Sequence, residues 1–207
     1  MTHEKNDADT RVGAPVWLAW LLIASGVLGL FGAFELSVER LNLLLDPEGA
    51  LACDINPFIT CSGAMESAQG SAFGFPNPFI GLMGFVAPIA VGVALLAGAK
   101  FKRWFWVAFT VGLTGALAFV LWLAWNSIFL LGIVCPWCFG VWVAVYAMFF
   151  PTLTHSIADG AVKLGSGAQR VARKFLPYSW IASFLMLVIV VLTIAIRLPE
   201  LVRFLFM

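Results

Sequence analysis

The 207-residue chain is 62% hydrophobic and only 11% charged, with a mean hydropathy of +0.98, whereas globular domains carry about a quarter charged residues. A water-soluble domain is excluded. Twelve Lys and Arg against eleven Asp and Glu leave a net charge of +1, so there is no basic field for nucleic acid and no acidic low-complexity tail. The chain reads as a single membrane-embedded domain over 1–207, all-α in class.

A charged side chain at the bilayer centre costs at least ~2.5 kcal/mol, so charge-free runs mark the spans. They cover 12–34, 67–99, 104–158 and 175–196. The third is long enough for two crossings at about 20 residues each. It divides where Asn126, Ser127, Gly132, Cys135 and Pro136 permit a hairpin. Five transmembrane helices are therefore predicted, at 15–36, 78–99, 104–127, 135–155 and 176–197. The first reads as a retained anchor, because its leader mixes charges and its apolar run exceeds the 7–15 residues of a signal h-region. Residues 37–77 form the one substantial loop, in which Asp46-Pro47-Glu48 reads as a helix start. Residues 197–207 are expected to lie along the interface. No repeat, second domain or fused thioredoxin-like domain is read from the sequence.

Lys5, Arg11, Lys100, Lys102, Arg103, Lys163, Arg170, Arg173 and Lys174 fall on one side of this topology, and Arg40, Arg197 and Arg203 on the other. The excess predicts a cytoplasmic N-terminus, with the 37–77 loop outside.

All four cysteines then face the outer side, where disulfides are admissible. Cys53 and Cys61 enclose seven residues, and Cys135-Pro136-Trp137-Cys138 is a CxxC. The CxxC sits where the fourth helix begins, and the positive end of the macrodipole there favours the thiolate that attacks disulfides. As a pure staple a CxxC closes too small a ring to gain much loop entropy. A four-cysteine zinc site matches the seven-residue spacing poorly, and His3 and His155 both fall on the opposite side, so no metal is expected. A relay of two cysteine pairs fits better, one reached by another protein and one by a lipid-soluble two-electron oxidant, in practice a quinone. A scaffold stapled by two disulfides stands as the non-enzymatic alternative.

In order and spacing these residues resemble the vitamin K epoxide reductase family, in its bacterial disulfide-forming branch, from about residue 16 to 155. The resemblance rests on Cys53-x7-Cys61, Ser67 six residues later, Pro76-Asn77-Pro78-Phe79-Ile80-Gly81 at the entry to the second helix, and the CxxC at the fourth. It implies a four-helix bundle around a quinone (menaquinone, ubiquinone or a vitamin K-type naphthoquinone) with a fifth helix outside, in a bacterial cell membrane. It further implies that Cys53 exchanges with a separate extracytoplasmic thioredoxin-fold (DsbA-like) protein, that Cys61 passes electrons to Cys135, and that Cys138 reduces the quinone. Asn77 matches the family side chain that hydrogen-bonds a quinone oxygen, and Ser67 its loop serine. Leu123, Ser127 and Leu131 share one helix face, which the resemblance turns toward the ring. Trp142 stands where the vertebrate enzymes have a quinone-bonding tyrosine, and a vitamin K epoxide/quinone reductase proper stands as the alternative to the disulfide-forming reading. Trp137, inside the CxxC, is expected at the redox centre and the ring. Plainer roles stand beside these: Asn77 as an ordinary helix cap, and Ser67 as a plain loop serine. Glu66 and Asp54 are the nearest acids to the reactive loop.

Overall fold

The computed structural model describes residues 11–46 and 51–205. Five helical segments are long and apolar enough to cross a membrane. The first, α1, spans Val16–Leu45. At 1.5 Å per residue it is about 45 Å long, against about 30 Å of hydrocarbon, so its last turns stand clear of the lipid. This corrects the predicted end at 36: Glu35, Glu39 and Arg40 end the lipid-compatible run without interrupting backbone hydrogen bonding. The helix stops at Asp46, whose N–H bonds back to the Asn42 carbonyl. Pro47 follows, and the residue before a proline is pushed out of the α region. Asp46 is therefore the end of α1; the helix start predicted at Asp46-Pro47-Glu48 falls on Pro47 and Glu48, which lie outside the described residues.

A short helix α2 (Ser62–Glu66) and a 3-10 turn (Ala68–Ser71) follow in the loop. The second span is broken into α3 (Pro78–Gly84) and α4 (Val86–Leu96). Pro88 is the cause. It has no N–H for the Gly84 carbonyl and its ring crowds that carbonyl, which kinks the helix one turn upstream. The kink turns Phe85 onto α1, where a Cβ on Gly29 would lie 2.2 Å from the Phe85 ring; only glycine admits this approach.

The third span, α5 (Arg103–Trp125), does not end at the predicted hairpin but continues as a π-helical turn, Asn126–Leu131. Gly132, at φ +67°, reverses the chain there. The fourth span, α6 (Pro136–Ala158), contains Pro151, which deprives the Ala147 carbonyl of its helical donor. Ser183 of the fifth span, α8 (Ser179–Arg197), donates its hydroxyl to that carbonyl at 3.4 Å. Before α8 lies an amphipathic helix, α7 (Ser166–Phe175). After it comes the short helix α9 (Pro199–Leu205), within the stretch expected to lie along the interface.

Kinked α3–α4 packs on α1, α1 on α6, and α6 on α5, while α8 lies outside against α6. The arrangement is four helical columns with a fifth outside. Although consecutive in the chain, α4 and α5 stay apart, and a cavity fills the space between them. At one end, a two-residue antiparallel pair joins β1 (Arg11–Val12) to β2 (Phe101–Lys102). The cysteines lie at the other.

Candidate active site

The loop cysteines are placed by backbone pairing that links the two halves of the site. The Val134 N–H donates to the Phe58 carbonyl at 2.8 Å and the Thr60 N–H to the Val134 carbonyl at 3.3 Å. One residue beyond each partner come Cys61 and Cys135. Their sulfurs are 3.3 Å apart, with the Cys135 thiol donating, and both side chains are fully buried. Cys61 is bonded to Cys53, whereas Cys135 and Cys138 are thiols.

Asp54 clamps this loop through one oxygen. Oδ1 accepts from the Thr60 hydroxyl at 2.7 Å, the Cys61 N–H at 2.7 Å and the Ser62 N–H at 3.1 Å. The last two are orphan N–H groups at the start of α2, so the carboxylate caps that helix and holds Cys61 in place. Partial burial by itself raises the carboxyl, but the bonds from Thr60, Ser62 and the Ser62 and Cys61 backbone outweigh it and hold the pKa below the usual value. An acid kept ionised in this way is a poor proton donor. Glu66 is exposed.

Cys135 occupies the N-cap of α6 with Pro136 at the first helical position, and its sulfur accepts from the Cys138 N–H at 3.4 Å. The positive end of the α6 macrodipole also points at this sulfur. That favours thiolate, the exchanging species.

Cys53 is only 5% exposed, which corrects the expectation of a loop pair open to another protein. The outer turns of α1 are the reason. Leu36 and Leu43 of α1, with Leu51 and Met65, form an apolar cluster around Cys53, Cys61 and Cys135. That cluster closes Cys53 off from solvent.

On the far side of Cys138 lies the cavity, of about 790 Å³, within the 300–1,000 Å³ usual for small-molecule sites. It runs from Ser67 and Asn77 at the cysteine end, past Cys138 and Trp142, to Trp104 and Phe105 near the start of α5. Leu123, Ser127 and Leu131 also line it. Trp137 does not. It meets Phe31 of α1 edge-to-face at 5.5 Å and packs on the cysteine cluster, which corrects the expectation of a place at the ring.

The polar side chains at the cavity are mostly committed. Ser67 donates to the Ala64 carbonyl at 2.7 Å and accepts from the Gly70 N–H at 3.2 Å. The Ser127 hydroxyl donates to the Ile133 carbonyl at 2.6 Å. Asn77 donates through Nδ2 to the Gln69 carbonyl at 2.6 Å and accepts at Oδ1 from the Ala72 N–H at 3.1 Å. Asn77 stands at the N-cap position of α3, before Pro78, but its side chain makes no cap hydrogen bond there. One Nδ2 hydrogen remains uncommitted.

Sequence reasoning missed Asn126, which is buried at the cavity wall with Nδ2 donating to the Trp122 carbonyl at 2.7 Å. Its signal was present, since adjacent polar residues in an apolar span mark a function more often than a turn.

A buried disulfide touching one thiol of a CxxC, whose other thiol opens on an apolar cavity among membrane helices, defines the chain as a membrane thiol oxidoreductase. The model of the Vitamin K epoxide reductase family matches residues 20–153, and the chain belongs to that family.

Proposed function

We propose that this chain reoxidises a separate thioredoxin-fold protein on the extracytoplasmic side by relaying its electrons through the loop pair and the CxxC to a membrane quinone, in support of disulfide formation. The observation that carries the reading is the 3.3 Å contact of Cys61 with Cys135, backed by Cys138 in the cavity wall.

The exchange steps balance as follows. A partner thiolate attacks Cys53 and expels Cys61 as thiolate; the second partner thiol resolves that mixed disulfide, leaving the partner oxidised. Cys61 then attacks Cys135 of an oxidised CxxC and expels Cys138. Cys53 resolves the Cys61–Cys135 bond. The outcome is a loop disulfide beside a CxxC dithiol, the same pattern found here. Reforming the Cys135–Cys138 disulfide releases two electrons and two protons, and a quinone bound in the cavity takes up both.

The lining suits such an acceptor. It is apolar along α4 and α5, where a prenyl tail fits in the space that separates them, and its few polar groups gather near Cys138. The free Nδ2 hydrogen of Asn77 is placed to donate to a quinone oxygen as negative charge develops there, the logic of an oxyanion donor in a dry site.

The test is ultraviolet detection of quinone reduction by the purified full chain supplied with a reduced thioredoxin-fold protein. Oxidation of that protein with no loss of quinone would overturn the reading. Asn77→Leu is expected to lower turnover by roughly 100-fold or more, the effect of losing one such donor. Asn77→Asp sets a carboxylate against the Gln69 carbonyl and is expected to be worse. Wild-type kcat in both folded variants, on steady-state kinetics, would return Asn77 to loop architecture.

A further inference from the structure

At the end of the molecule opposite the cysteines, α7 separates its residue types sharply. At 100° per residue, Ala168, Val171, Ala172 and Phe175 gather on one side, and Ser166, Gln169, Arg170, Arg173 and Lys174 on the other. Ala172 is buried, and Arg173 donates through Nε to the Ala158 carbonyl at the end of α6, 2.9 Å away. These contacts seat the helix against the bundle. Val171 and Phe175 remain more than half exposed, at 57% and 59%.

The chain enters α8 directly from α7 through the turn Leu176–Tyr178, and Tyr178 and Trp180 are exposed there. Aromatic residues in such a place mark the membrane–water boundary. A helix at that boundary with exposed apolar groups lies in the interface plane.

Among the described residues, no acid pairs with the basic side of α7. From 160 to 199 the sequence contains no Asp or Glu, and the nearest acid, Asp159, is engaged by Nδ1 of His155 at 3.0 Å. Ser166, Gln169, Arg170 and Arg173 line a depression of about 200 Å³. Lys174 and Lys163 are exposed nearby.

We infer that the basic face of α7 is a binding site for the phosphate headgroup of an anionic phospholipid, with Val171 and Phe175 against its acyl chains. Charge complementarity and the adjoining apolar face together select this occupant. A soluble acidic protein would leave Val171 and Phe175 uncovered, whereas a lipid satisfies both faces at once. A juxtamembrane cation contributes about fivefold in affinity for an anionic surface.

Native mass spectrometry of the full chain, titrated with phosphatidylglycerol or phosphatidylcholine, tests the site without reference to redox activity. The wild type is expected to take up phosphatidylglycerol about fivefold or more tightly than phosphatidylcholine. Arg170→Gln with Lys174→Gln is expected to bring the two affinities close together. Lys100→Gln with Lys102→Gln, the same loss of charge at the same end but off α7, should leave the preference intact. Equal affinities in the wild type, or equal losses in the two double variants, would overturn the site. Displacement of the lipid by inorganic phosphate at matching concentration would assign the face to soluble anions and overturn it as well.

Discussion

Cys138→Ala is expected to bring thiol-driven quinone reduction down to the uncatalysed rate while leaving the helices inserted. Cys138 is the one cysteine among the residues lining the cavity; Cys135 is fully buried behind it, against Cys61. The companion variant Cys138→Ser isolates the preceding step. Its Cys135 thiolate attacks Cys61 across the 3.3 Å contact, forms a Cys61–Cys135 bond and releases Cys53 as the leaving thiolate. No second CxxC thiol remains to resolve that bond. Alkylation of the freed Cys53 should therefore trap a Cys61–Cys135 mixed disulfide, detected by peptide mass spectrometry. Cys53 joined to Cys135 would reverse the order of the loop pair, and wild-type thiol oxidation in Cys138→Ala would remove Cys138 as the terminal donor.

The two cysteine pairs were legible because their spacing differs, seven residues in the loop and a CxxC at a helix start, and the helix count because charge is excluded from lipid. The cavity face was legible too, in principle. Val141, Trp142 and Val145 follow Cys138 by three, four and seven residues and share its face of α6, and all of them line the cavity. Trp137 precedes Cys138 by one residue, so it is turned about 100° away, toward Phe31 of α1. The same periodicity that carries Trp142 to the cavity turns Trp137 away from it.

What the sequence did not disclose are features that depend on long-range contact. The extra turns of α1 look like loop by charge, yet they are held by the apolar cluster of Leu36 and Leu43 with the cysteine loop. The pairing of Phe58 and Thr60 with Val134 has no local signature, although it sets the contact between the two cysteine pairs. The burial of Cys53 follows from both. A loop that looks open from its polarity is closed by its docking on a helix that outlasts the membrane.

Asp54→Ala is the sharpest probe of that docking. The substitution removes an acceptor shared by one hydroxyl and two N–H groups, and a donor left unpaired out of contact with water costs about 1–3 kcal/mol. Even one such loss at the start of α2 corresponds to a roughly 5–150-fold change in the population of the docked loop. The expected result is a comparable slowing of transfer from Cys61 to Cys135, read by stopped-flow quinone reduction with a protein thiol donor. A small dithiol that reduces the CxxC directly bypasses the loop, so with that donor the variant should keep the wild-type rate. Asp54→Asn keeps an oxygen acceptor and loses only the charge, and should fall between the two. The clamp also has a pH signature. Because the folded pKa of Asp54 is depressed, its contribution is fully present above the unfolded value of about 3.9 and is lost as pH falls through the folded value. Loop docking should therefore persist through mildly acidic pH in the wild type and weaken only in strong acid. An equal loss with both donors in Asp54→Ala would place the damage in the bundle and refute the clamp.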